Sequence, residues 1–216
     1  METIIELCSE NSILNSFIAE MRDVDLQKDR SRFRENMEAC GFIMGYEISK
    51  ALNYNSKPVQ TPLAITQVNL PTDDVVIVSI LRAALPLQYG MLRAFREADA
   101  AFIGAARKHT SQGEFEIVSD YEAAPDLNGK TVIVVDPMLA TASSLLTCYE
   151  KLMMNAKPKQ CITASVFASK KGIETLVTAL PQIVHYTCVV DKELNAHKYI
   201  VPGLGDAGDL AFGTKK

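Results

Sequence analysis

The sequence predicts an α/β protein built on a mostly parallel sheet. Three observations carry that expectation. Residues 132–135 are an unbroken β-branched apolar run and 75–81 (VVIVSIL) a nearly continuous one, as in strands buried on both faces. Such runs alternate with segments whose apolar residues recur every three or four positions, the rhythm of strand, crossover helix and parallel strand. Three of the strands run into charged residues, Arg82, Arg107 and Asp136, and ligands of open α/β sheets bind at the carboxyl ends of strands.

The first long element spans 29–52, where Phe33, Met37, Cys40, Met44, Ile48 and Ala51 give a helix one buried face. Its Arg30, Arg32 and Arg34 read as a solvated or partner-contacting face. Residues 57–70 alternate apolar and polar between prolines, which predicts half-exposed antiparallel strands beside the main sheet. A turn at 71–74 leads into strand 75–81. The helix predicted over 85–98 is weakened at Gly90. Strand 100–106 then ends at Arg107, and the alternation of 114–119 predicts a strand or hairpin excursion. The βα rhythm resumes with strand 132–135, a helix through Leu145, Cys148, Tyr149, Leu152 and Met153, strand 161–168, helix 171–180 and strand 183–190. The glycine-rich tail reads as too irregular for a terminal helix, although Tyr199, Ile200, Val201, Leu204 and Phe212 can anchor it over something.

Charge and cysteine usage narrow the function. A formal net charge of −4 offers no broad attraction to nucleic acid or an anionic membrane, so a phosphate site must come from a few placed arginines and backbone donors. Cys8, Cys40, Cys148, Cys161 and Cys188 contain no CxxC pair and read as buried free thiols of a reducing compartment. Residues 1–11 lack a basic region followed by an apolar stretch, and no run approaches the ~20 apolar residues that cross a bilayer. A cytoplasmic protein is expected, as one domain over 1–216.

Residues 131–146 (TVIVVDPMLATASSLL) give strand, acid, small-residue loop and helix in that order. A helix start carries backbone N–H groups without intrahelical partners, and small side chains let an anion reach them. Asp136 would then face the sugar hydroxyls of a bound phosphate ester. An ordinary serine-capped helix accounts for the same residues. The arginines add weight, since the guanidinium fork of Arg82 or Arg107 suits phosphate oxygens. Gly203, Gly205 and Gly208 match GxGxxG, but that motif requires a strand before it and a helix after it, and a proline precedes this one. The glycines can instead bring backbone groups close to a flat ligand. His109, His185 and His197 show no metal spacing, and neither a P-loop with its lysine nor GxSxG is present.

Residues 136–144 (DPMLATASS) resemble the phosphoribosyl-diphosphate loop of uracil phosphoribosyltransferases. Residues 79–84 (SILRAA) resemble that family's strand-and-arginine motif, and 199–214 (YIVPGLGDAGDLAFGT) its uracil-binding tail. RFRE at 32–35 and YE at 46–47 also fit, so the similarity runs along nearly the whole chain. Ala142 and Ser143 stand where that loop usually carries a glycine pair. The resemblance implies a phosphoribosyltransferase-type parallel sheet core flanked by helices. It adds a helical segment over about 1–56, and a hood formed by the base-binding tail at 198–216 and, as a second contributor, the hairpin segments.

The implied reaction is attack of uracil N1 on C1 of 5-phosphoribosyl 1-diphosphate (PRPP), giving UMP and diphosphate with Mg2+ carried mainly on the diphosphate. The implied PRPP site comprises Arg82, Arg107, Asp136, Leu139, Ala140, Thr141, Ala142, Ser143, Ser144 and Asp206. Uracil would be read by Ile200, Gly205, Asp206 and Ala207, with Asp206, Arg82 and Arg107 as the catalytic set. The resemblance assigns no protein ligand to the metal and implies a homodimer or higher homo-oligomer. A noncatalytic uracil- or UMP-binding regulator of the same fold is the alternative.

Overall fold

The structure, a computed structural model, describes residues 3–104, 106–109, 115–118 and 121–215, with 106–109 and 115–118 described as backbone only. It begins with strand β1 (Ile4–Glu6), helix α1 (Leu14–Arg22), a 3-10 turn at Leu26–Lys28 and helix α2 (Arg30–Ser49). A hairpin of β2 (Tyr54–Gln60) and β3 (Ile65–Pro71) follows. Next come β4 (Val75–Leu81), α3 (Leu85–Ala94), β5 (Asp99–Gly104), a second hairpin of β6 (Ala106–His109) and β7 (Phe115–Val118), and β8 (Glu122–Ala123). The chain continues through β9 (Thr131–Val135), β10 (Met138–Leu139), α4 (Ser143–Met153), β11 (Gln160–Ser169), α5 (Lys170–Ala179) and β12 (Val184–Asp191). The tail holds β13 (Glu193–Leu194), β14 (Ile200–Val201) and α6 (Ala207–Phe212).

The central sheet runs β1-β12-β11-β9-β4-β5-β8, with β10 paired to β11. All of its pairs are parallel except β5 with β8. Helices cover both faces, which is why β4 and β9 are apolar without alternation. On one face Ile77, Ile133 and Ile162 share a core with Phe33, Met37 and Met44 of α2 and with Leu87 and Met91 of α3. On the other, Val76, Val78, Val132 and Val134 join Leu145, Cys148 and Leu152 of α4 and Leu176 of α5. Each such side chain contributes ~1.5–3 kcal/mol on full burial.

Gly90 has a packing reason that outweighs its low helix propensity. A Cβ there would lie 1.9 Å from the Glu38 carbonyl oxygen, and one at Gly41 would lie 2.2 Å from that of Leu87. Two facing glycines let the backbones of α2 and α3 meet, at a cost of ~1 kcal/mol each in helix propensity.

One polar cluster is built into the sheet. His185 is fully buried, with Nδ1 2.9 Å from Thr163 Oγ1 and Nε2 2.9 Å from Ser165 Oγ. Desolvation pushes its ring down to about 3. The ring is therefore neutral, and both of its nitrogens are satisfied.

The structure departs from the sequence expectations in four places. Residues 57–70 do form antiparallel strands, but β2 and β3 make a separate ribbon whose residues are all exposed. The strand before Arg107 ends at Gly104, and Arg107 sits in the hairpin β6–β7, where only backbone is described. The tail ends in the short helix α6, capped by Asp206, whose Oδ1 accepts from the Asp209 amide at 2.9 Å. Finally, β1 and α1 precede the first element that periodicity picks out.

Candidate active site

Register brings the predicted residues together. Val135 of β9 pairs with Ser79 of β4 on one side and with Ala164 of β11 on the other. Asp136 and the β4 end at Arg82 therefore leave the sheet at the same edge. Here a cleft of about 520 Å3 opens between the strand ends, the start of α4 and the tail. Arg82, Asp136, Leu139, Ala140, Thr141, Ala142, Ser143, Ser144, Ile200, Gly205, Asp206 and Ala207 all line it. Of the expected set only the Arg107 side chain lies outside the described residues.

The loop before α4 has the shape that an anion cradle needs. Ala142 holds a left-handed backbone, φ 62 and ψ −4, so the chain turns sharply into the helix. A side chain there costs ~1–2 kcal/mol relative to the right-handed region. Ala142 keeps the turn where glycine is usual and adds one buried methyl. Among the described residues Thr141 Oγ1 accepts from the Ser143 amide at 3.4 Å, while Ala142 at the cap position of α4 has no side chain that can accept. The Thr141 and Ser143 hydroxyls meet at 2.9 Å beside it. This end thus presents amide donors and hydroxyls with few competing acceptors.

Asp136 is partly buried, and among the described residues its hydrogen-bond donor is the Met138 amide, 3.2 Å from Oδ1. Desolvation outweighs that bond and pushes the carboxyl up to about 6. The carboxylate keeps lone pairs free to accept further donors.

Arg82 meets the tail across the cleft. Its Nη2 donates to Asp209 Oδ1 at 3.2 Å and to the Gly213 carbonyl at 3.1 Å. Its Nε is buried without a partner among the described residues. Arg34 holds the same helix end by donating to the Ala211 carbonyl at 2.8 Å.

Two further cations line the cleft, Lys198 and Lys215, together with His197 and Tyr199. The sequence gives no signal for Lys198 and Lys215, because isolated residues in an irregular tail carry no period. Around Tyr199 the backbone is fixed by Asn195, whose Oδ1 accepts from the amides of His197 and Tyr199, each at 2.9 Å. Gly203 and Gly205 both have positive φ, 52° and 102°. A Cβ at Gly203 would lie 2.2 Å from the Ile200 carbonyl oxygen. Only glycine makes that turn, which explains the GxG spacing without a dinucleotide fold.

Comparison with known proteins points to one family. The family model described as Uracil phosphoribosyltransferase matches residues 8–214. A Porphyromonas gingivalis protein named uracil phosphoribosyltransferase is 43% identical over 213 residues, covering 98% of this chain and 99% of the relative. Among solved structures, the AQ2163 protein from Aquifex aeolicus superposes with a TM-score of 0.85 at 27% identity, covering 98% of this chain and 99% of that one. A purine phosphoribosyltransferase from Pyrococcus horikoshii is similar in fold alone, with a TM-score of 0.51 at 12% identity over 73% of this chain and 84% of its own.

Proposed function

The chain belongs to the uracil phosphoribosyltransferase family, and from that premise we propose that it transfers the phosphoribosyl group of PRPP to uracil N1, giving UMP and diphosphate. One observation carries the reading. A loop shaped for a phosphate, an aspartate placed for ribose hydroxyls and a glycine-opened stretch of tail backbone share a single cleft. We assign this work to one phosphoribosyltransferase domain over 1–216.

In this reading Ala140 to Ser144 cradle the 5′-phosphate through backbone N–H groups and hydroxyls, with Leu139 beside them in the PRPP site. Asp136 accepts from the ribose hydroxyls, and those two donors favour its ionised form. Arg82, with its buried and unpartnered Nε, and Arg107 take the diphosphate. Positive charge placed there stabilises the leaving group as C1 becomes cationic. Backbone groups of Ile200, Gly205 and Ala207 read the acceptor, donor, acceptor edge of uracil. Cytosine does not present that edge, and leaving buried amide groups unpaired rejects an analogue by ~10⁴-fold. Asp206 completes the catalytic set beside the ribosyl diphosphate.

Among the described residues no group of three His, Cys, Asp or Glu side chains converges to hold a metal ion. The two cleft carboxylates, Asp136 and Asp206, are the hard oxygen donors that Mg2+ prefers. This donor set fits an ion carried mainly by the diphosphate. Bound there, Mg2+ would neutralise charge on the leaving group, and Asp136 and Asp206 are the cleft carboxylates that would hold it.

We further read the chain as a homodimer or higher homo-oligomer. The β2–β3 ribbon exposes Leu63 at 96% and Ile65 at 67%, and a lone two-stranded ribbon is at best marginal in water. A cytoplasmic place fits the five free thiols, and no described helix is long and apolar enough to cross a membrane. The net charge of −4 argues against a nucleic-acid partner.

The test is purified protein incubated with PRPP, Mg2+ and, separately, uracil, cytosine, hypoxanthine, adenine or orotate. UMP and diphosphate in equal amounts, with uracil alone, are expected. Uracil or UMP binding without turnover would replace the enzyme with the regulator, and product from another base would reassign the tail.

A further inference from the structure

Resting on that reading, we propose that Arg22 and Asp191, neither of which lines the cleft, are positioning residues that clamp the base-reading turn of the tail. Asp191 ends β12 and Arg22 ends α1, 169 residues apart in sequence. Arg22 Nη2 donates to Asp191 Oδ1 at 2.8 Å, with side chains 23% and 8% exposed. Both then grip one residue of the tail. The Gly203 amide donates to Asp191 Oδ2 at 3.1 Å, and Arg22 Nη1 donates to the Gly203 carbonyl at 3.1 Å. The guanidinium is itself held over the Phe167 ring, 4.9 Å from its centroid. With its side-chain nitrogen turned inward, the Gln27 amide also donates to the Leu204 carbonyl at 2.9 Å.

This arrangement answers a definite problem. The backbone groups assigned to uracil, at Ile200, Gly205 and Ala207, flank a turn that only glycine can make, with positive φ at Gly203 and Gly205. Glycine confers no rigidity of its own, so a turn built on it needs outside restraint to hold its amides in one place. The peptide groups on both sides of Gly203 are tied to a partly buried ion pair rooted in the sheet and in α1. Low exposure weakens solvent screening of that pair, and the arginine fork fixes direction as well as distance. The clamp gives the segment before α2 a role: it orders the uracil half of the site from outside the cleft.

The test compares the full-length parent with R22Q, R22K and D191N by steady-state kinetics with each substrate varied, and by hydrogen exchange of residues 200–206. For R22Q, a misplaced turn raises KM for uracil ~10–100-fold and leaves KM for PRPP within ~3-fold. R22K keeps the charge without the fork and recovers part of the loss. Exchange at 200–206 rises in R22Q and D191N, while the core strands β4 and β9 stay protected. An unchanged KM for uracil, equal rises in both KM values, or unchanged exchange at 200–206 would each overturn the clamp. Failure of the parent to turn over uracil would refute the proposed function instead, and the exchange comparison still decides the clamp. If R22Q does not fold, R22K and D191N carry the same comparison.

Discussion

Asp136 sets stability against function in a way that can be measured. Its carboxyl titrates at about 6 in the fold against an ordinary 3.8, because desolvation there outweighs the one amide that it accepts from. A raised carboxyl pKa means that the fold binds the proton more tightly than the unfolded chain does. Stability from this group is therefore highest below pH 4, falls as pH rises from about 4 to 6, and stays low above that. At 1.36 kcal/mol per pK unit, ionised Asp136 costs the free protein about 3 kcal/mol at pH 8. D136N keeps the side-chain oxygen that accepts from Met138 and removes the charge. For a chain of this size, ~2–4 °C per kcal/mol makes D136N melt about 6–12 °C above the parent at pH 8, with the difference vanishing near pH 4. The difference is the quantity to measure, because His185 acts with the opposite sign. Its ring, pushed down to about 3, costs both proteins stability as pH falls below 6.5. The same variant loses its grip on the ribose hydroxyls, and PRPP-dependent activity falls by at least ~100-fold. Differential scanning fluorimetry from pH 4 to 8, without ligand, makes the comparison. A Tm difference that is flat with pH, or a less stable variant at pH 8, would refute the reasoning.

Three further outcomes are expected. G90A drives a methyl into the Glu38 carbonyl, 1.9 Å from its Cβ, and destabilises the protein by ~3 kcal/mol or more, read as a lower urea midpoint. A142V places a β-branched side chain at φ 62 and raises KM for PRPP by at least ~10-fold, whereas A142G stays within ~3-fold of the parent; PRPP-varied kinetics checks both. H185L leaves the Thr163 and Ser165 hydroxyls without the ring that they now bond, so urea melts at pH 7 fall by ~2 kcal/mol. The same variant's stability loses less than the parent's between pH 6.5 and 4, since its unfolded chain has no imidazole at this position to take up a proton that the folded ring refuses.

The part of the fold that is legible in the amino-acid sequence is the local part. β4 and β9 stand out because a strand buried on both faces is apolar almost throughout, with only Ser79 and Thr131 as polar positions, and Asp136 with its loop follows at once. The tail's glycines are legible as a close approach to a flat ligand, but α6 is not, because six residues are too few to display a helical period. In α1 only Leu14, Ile18 and Met21 are buried, a short stripe that polar neighbours dilute. The most consequential omissions are pairings across the sequence. Arg82 meets Asp209 across 127 residues and Arg22 meets Asp191 across 169. No window of sequence holds both partners, and only the sheet order brings them together. The outward projection of β2–β3 is hidden for a similar reason, since alternating apolar residues do not say which surface they will meet.

The central claim is that one cleft, between the strand ends at Arg82 and Asp136 and the tail at 199–208, holds both halves of the product. A crystal structure of the protein with UMP tests it most directly. The phosphate is expected against the backbone of 140–144, the ribose hydroxyls on Asp136 and the uracil edge on backbone groups of Ile200, Gly205 and Ala207. UMP bound with its base away from the tail, or its phosphate away from the start of α4, would contradict it.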